Sequence, residues 1–233
     1  MHVPDGFLDA PTSVATAAVA AGGVALALRG ARRELDERTA PLAGLTAAFV
    51  FAVQMVNFPV GAGTSGHLMG GLLAAVLVGP RTAVLCMTVV LMIQALLFAD
   101  GGLTALGTNV TLLGLVAIAV GWGAFRLLTA VLPKTRSGVL VAAGTGAFLS
   151  VPVAALVFVG LFAVGGVADV PVGTVAAAMG GVHVLIGLGE AAITVAVVAA
   201  VLTVRPDLVY GARALRRATL LAGRPAEVPA GAR

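Results

Sequence analysis

Of the 233 residues in the chain, 60% are apolar and only 10% are charged, against about a quarter charged in ordinary soluble domains. With a mean hydropathy of +1.09 this composition excludes a soluble globular protein and predicts a polytopic membrane protein. The net charge of +4 is no sign of nucleic-acid binding, because the basic residues sit in loops between apolar runs, where they anchor a membrane protein on its cytoplasmic side.

The chain opens Met1-His2-Val3-Pro4-Asp5-Gly6-Phe7-Leu8-Asp9, with no Lys or Arg. A secretory signal needs a cationic start and a small-residue cleavage site, and neither is present, so this end is expected to stay intact. A free amine followed by histidine offers three nitrogens to one cation: the amine, the deprotonated amide of His2 and its imidazole. Such a set favours square-planar Ni(II), Cu(II) or low-spin Co(II). The plainer reading is a polar residue at a frayed end.

Continuous Ala/Val/Leu/Gly runs then predict an all-α bundle of about seven transmembrane helices, near residues 11–29, 41–58, 67–80, 82–99, 103–132, 137–166 and 172–203. None alternates as a barrel strand would. The third covers only about 21 Å, short of a bilayer, and is expected to be tilted or partly re-entrant. The last three exceed the need and should tilt or project. Residues 1–204 form a single transmembrane domain, and 205–233 a short basic tail expected to be a frayed helix.

All 14 basic residues fall on one side of this topology, from Arg29, Arg32, Arg33 and Arg38 through Arg81, Arg126, Lys134 and Arg136 to the tail. The opposite loops carry only Asp5, Asp9, Asp100 and Asp169. The positive-inside rule therefore puts the N-terminus outside and the C-terminus in the cytoplasm of a cell-membrane protein. In the first span Ala17, Ala21 and Ala25 share one face at i, i+4 spacing, a small-residue stripe that admits another helix, from the same bundle or another subunit. Cys86, the single cysteine, has no partner for a disulfide and suits the core.

The three histidines, His2, His67 and His183, all fall toward the outer side. His67 starts the third span after a Gly-rich loop, where it is either an interface residue or the fourth nitrogen of a metal plane. His183 and Glu190 lie seven residues apart, about two helical turns, on nearly one face. Glu190 is the one acid deep within a span, and is either a hydrogen-bonded staple of the bundle or half of an ion relay with His183. Gln54, Asn57, Gln94 and Asn109 are the large polar side chains among the spans. Asn57 and Asn109, at outer ends, are the candidates to hold histidine rings in place. Gly61-Ala62-Gly63-Thr64-Ser65-Gly66 fits a dinucleotide pattern but follows a membrane helix, and His67 stands where a phosphate-binding loop needs lysine. Without that lysine the chain is expected to hydrolyse no ATP by itself, and no intramembrane protease or esterase motif is present.

Several blocks, taken together, resemble one family. Met1-His2-Val3-Pro4-Asp5-Gly6-Phe7-Leu8, Ser65-Gly66-His67-Leu68-Met69-Gly70-Gly71, Gly79-Pro80, the run from Gln94 to Asn109, and His183 to Thr194 look like segments of the CbiM/NikM family, the substrate-capture components of energy-coupling-factor importers for cobalt and nickel. The resemblance covers about residues 1–200. It implies seven helices and a terminus tucked into the bundle. The metal would be held by the Met1 amine, the His2 amide and ring, and the His67 ring. It also implies Co(II) or Ni(II) as transported substrate with no organic cofactor, and as partners a transmembrane coupling subunit, cytoplasmic ATPase subunits and often a small accessory membrane protein. After Asn109 the chain departs from the pattern, with Thr111-Leu112-Leu113 in place of a more polar pair. The alternative function is a stand-alone ion- or proton-coupled metal carrier using His183 and Glu190.

Overall fold

The computed structural model describes residues 2–35, 37, 39–56, 58–61 and 64–215. Met1, Asn57 and the tail from 216 to 233 lie outside the described residues. The chain is a helical membrane bundle, as its composition predicts. Helices α1 (Ala10–Ala31), α2 (Ala40–Gln54), α3 (Gly71–Val78), α4 (Pro80–Leu97), α5 (Leu106–Val131), α6 (Arg136–Gly165) and α7 (Val172–Val204) follow in order, with a hairpin of β1 (Phe58–Gly61) and β2 (Thr64–Gly66) between α2 and α3. Five of these helices, α1, α4, α5, α6 and α7, are long and apolar enough to cross a membrane. Leu127 and Val164 are 73% and 82% exposed, which in lipid is the favourable state for an outward apolar side chain.

Helix α2 has 15 residues and α3 only 8, so the expected second and third spans are shorter as helices than their apolar runs. The second run ends early because the chain turns into the hairpin, whose strands pair antiparallel with Phe58 opposite Gly66 and Pro59 opposite Ser65. The third is a short helix behind an irregular segment, His67–Gly70, sunk in the bundle. Every residue of α3 is buried. Non-helical backbone at such depth is tolerated only where protein groups satisfy it. Glu190 of α7 does so: its Oε2 accepts from Met69 N at 2.8 Å and its Oε1 from Gly70 N at 2.6 Å. Gln54 of α2 donates to Met69 O at 2.6 Å. Gly70 adopts φ 75°, and any Cβ there would press on Val50 at 2.8 Å, so the turn into α3 requires glycine.

The small-residue face of α1 is exposed in the single chain. Ala17, Ala21 and Ala25 point outward, whereas α1 buries Thr12, Thr16, Ala20, Ala27 and Ala31. The threonines decide the rotation, since a hydroxyl in lipid needs a partner. Thr16 Oγ1 meets Thr108 Oγ1 at 2.7 Å, and Thr111 donates to Thr16 O at 2.9 Å. Gly107 of α5 packs against Ala17, where a Cβ on the glycine would collide with Ala17 Cα. Helix α5 is π-helical over Val110–Val116, directly after Asn109.

At the opposite end of the bundle from His2, Glu34 accepts from Thr82 N at 2.8 Å, placing a carboxylate at the first turn of α4, where the helix dipole favours it. The start of the tail is not a frayed helix. Two single turns, Pro206–Leu208 and Tyr210–Ala212, fold back so that Val209 and Ala212 are fully buried.

Candidate metal centre

Residues 2–9 thread back into the bundle instead of fraying. Asp9 N donates to Gly165 O at 2.7 Å, Val167 N to Phe7 O at 3.1 Å, and Gly102 N to Val3 O at 2.9 Å. The Phe7 ring stacks with Phe158 at 5.8 Å and contacts Phe162 at 5.3 Å. Asp5 accepts from the Thr104 amide at 2.7 Å and from its hydroxyl, and those bonds hold its carboxyl below the usual carboxylate range. Asn109 completes the clamp, accepting from Val3 N at 2.7 Å and donating to Val3 O at 3.1 Å. The result is a buried Val3, 1% exposed, and a His2 only 8% exposed.

His2 and His67 meet there, ring centroids 4.3 Å apart and planes inclined by 31°. His67 is fully buried, and its Nδ1 lies 2.8 Å from the carbonyl of Leu68. A carbonyl only accepts, so Nδ1 carries the proton and Nε2 presents its lone pair, with no protein partner among the described residues. His2 Nδ1 is 2.9 Å from Asp100 Oδ1 and its Nε2 is likewise unpartnered there. Burial lowers the His2 ring below its ordinary pKa of 6.5, with the Asp100 hydrogen bond opposing that shift. Gly101, at φ 93°, lets the Asp100 loop close down: a Cβ would lie 3.0 Å from Asn109 Nδ2 and 3.4 Å from His2 Cβ.

Asn109 thus grips the backbone of Val3 where it was expected to hold a histidine ring, and Asp100 holds the ring of His2. Asp100 was legible only as an acid in a basic-free loop. His183 is fully buried, donating from Nδ1 to Met179 O at 2.8 Å in its own helix. Glu190 is committed to the His67 segment through two backbone amides and makes no bond to His183. Gln94 is buried, with no hydrogen bond from its amide group among the described residues. No three carboxylate, thiol or imidazole side chains among the described residues converge as a cage, and the candidate centre is the pair of imidazoles of His2 and His67.

Residues 2–208 match the family model of the cobalt uptake substrate-specific transmembrane region, CbiM. The chain belongs to the CbiM family. A protein of Haloquadratum walsbyi named for metal transport is 41% identical over 213 residues, 90% of this chain and 94% of that one. The fused nickel transport protein NikMN of Rhodobacter capsulatus is 40% identical over 129 residues, 55% of this chain and 37% of its own longer length. In three dimensions a truncated transition metal transporter superposes with a TM-score of 0.79 at 29% identity, over 87% of this chain and 99% of that structure. This CbiM-family chain is therefore a multi-pass membrane component of cobalt and nickel transport, and its helical bundle, interrupted by the β1–β2 hairpin, agrees with the helical architecture inferred from composition.

Proposed function

We propose that this CbiM-family chain is the substrate-capture subunit of an energy-coupling-factor importer. It takes Co(II) or Ni(II) from outside at its N-terminus, and the partners are a transmembrane coupling subunit, cytoplasmic ATPases and, in some assemblies, a small accessory membrane protein. The observation that carries this reading is the buried His2–His67 pair, one ring of which has its Nδ1 proton tied to a carbonyl and its Nε2 lone pair open. The metal plane would take the Met1 amine, the His2 amide nitrogen and ring, and His67 Nε2. Chelation through the amide and ring of one histidine closes a six-membered ring only at Nδ1, so His2 must first give up its hydrogen bond to Asp100. Asp100 then stands beside the site as the carboxylate that takes a different donor.

No observation favours the stand-alone carrier, because its relay would need Glu190, whose two oxygens both serve backbone amides. Purified chain in liposomes discriminates the readings. We expect metal uptake only when the coupling and ATPase subunits are co-reconstituted and ATP is supplied, while uptake by the chain alone would discard the capture-subunit reading.

Capture should strengthen with pH. The ligand nitrogens bind deprotonated, so affinity rises about tenfold per pH unit for each proton released. Burial lowers the pKa of the His2 ring, so its proton is lost at lower pH than that of an exposed histidine and the amide proton carries more of the slope near neutral pH. Equilibrium metal titration from about pH 6 to pH 8 measures it, and a flat profile would exclude amide ligation.

A further inference from the structure

Far from His2, a cleft of about 390 Å³ opens between the end of α5, the start of α6 and the turn at Tyr210. Trp122 lies 13 residues beyond Asn109 along α5, about 20 Å of helix, so the cleft is separate from the metal centre. Its composition is unlike the rest of the molecule. The chain has one tryptophan and one tyrosine, and both Trp122 and Tyr210 line this cleft. So do Arg126, Lys134 and Arg213, with no carboxylate among the lining residues. The aromatic wall is ordered: Trp122 stacks on Phe125 at 5.1 Å and faces Tyr210 at 5.9 Å, and the Arg213 guanidinium sits 4.0 Å from the centre of the Tyr210 ring. Lys134 is steered by its bond to the Thr129 carbonyl.

We propose that this cleft binds the headgroup of an anionic phospholipid of the cytoplasmic leaflet. The side assignment rests on the positive-inside reading of the loops. Trp and Tyr favour headgroup depth, where an apolar ring and a polar edge are both satisfied, and basic pockets between membrane helices recognise anionic headgroups. Among the described residues no carboxylate lines the cleft beside these three cations, so a phosphate from outside would supply the missing negative charge. The acyl chains have a track as well: Leu127 and Val131, on the same stretch of α5, are 73% and 79% exposed. A free phosphate would use the cations and leave that apolar track idle, which is why the lipid is the preferred source. Lipid bound here joins α5, α6 and the folded-back Tyr210 turn, three segments that meet at the cleft.

Because Trp122 is the sole tryptophan, its fluorescence reports on this site alone. The full chain is reconstituted in phosphatidylcholine vesicles containing increasing fractions of brominated phosphatidylglycerol or, separately, brominated phosphatidylcholine. The expected result is that brominated phosphatidylglycerol quenches Trp122 at a several-fold lower fraction. Neutralising the cations together (Arg126→Gln, Lys134→Gln, Arg213→Gln) should erase the preference, and single replacements should weaken it about fivefold each, the factor equivalent to about 1 kcal/mol. Metal binding at the far end serves as the folding control for every variant. Equal quenching by the two lipids, or an undiminished preference in the triple variant, overturns the proposal. So does suppression of the preference by millimolar inorganic phosphate, which marks a free-anion site. Loss of complex assembly in the triple variant without any lipid preference in the wild type assigns the cleft to a protein partner and equally overturns it.

Discussion

Inserting one alanine between Met1 and His2 is expected to make metal capture independent of His67. In the proposed centre the terminus supplies three nitrogens, amine, amide and imidazole, and the square plane is closed by His67 Nε2. Replacing His67 by alanine in the otherwise native chain should therefore weaken binding by about 100-fold or more, beyond the 10–100-fold typical when an outer partner of a ligand is lost. An extra alanine adds a second peptide nitrogen, so Met-Ala-His fills all four positions without help. Adding His67→Ala to the insertion should then change the affinity little. Titration of Ni(II) into the four proteins, with the visible absorption of the square-planar complex as the readout, checks the donor count. If His67→Ala is as damaging with the insertion as without it, the terminal chelate is wrong.

The membrane character and the approximate helix positions are legible in sequence because they follow from one quantity, the free energy of apolar surface in lipid, summed over about 20 residues at a time. The same sum is blind to where a helix stops for local reasons. Residues 41–58 read as one largely apolar run, yet α2 ends at Gln54 and the chain reverses through a hairpin, a change of backbone pairing that hydropathy does not register. Residues 67–80 read as one span, yet the first four are unwound, because Glu190 and Gln54, remote in sequence, supply the hydrogen bonds that a helix would have made internally. The rotation of α1 shows the same limit. Small-residue spacing marks a face that can approach a helix, but Thr12 and Thr16 need polar partners and turn their own face inward.

At the site, histidine chemistry is legible and the supports are not. His2 and His67 stand out because imidazole is rare in so apolar a chain and has few uses there. Their meeting depends on Val3 being clamped by Asn109 and on Gly101 bringing Asp100 onto the His2 ring, contacts about 100 residues apart in sequence. Asn109 was expected to serve an imidazole, and its amide has the right chemistry for that. The buried peptide group of Val3 also needs a donor and an acceptor at once, and a carboxamide is the side chain that offers both.

The centre should accordingly be vulnerable also at a residue that touches neither ring. Glu190→Ala leaves the amides of Met69 and Gly70 without acceptors in a buried, unwound segment, at about 1–3 kcal/mol for each lost bond. The segment will seek those bonds elsewhere, and His67, two residues before Met69, moves with it. We expect metal affinity to fall about 10–100-fold, as when a ligand's supporting shell is removed. Glu190→Gln should lie between wild type and alanine, because a carboxamide has one oxygen for two donors and turns its own NH2 against the other. Metal titration run beside thermal unfolding separates the two roles open to this carboxylate. A brace of the bundle alone would lower the melting temperature of both variants and leave the affinity of the folded chain unchanged. Positioning of His67 predicts a loss of affinity that persists under conditions where each variant is fully folded, and that largely vanishes in a His67→Ala background, where there is no fourth nitrogen left to misplace.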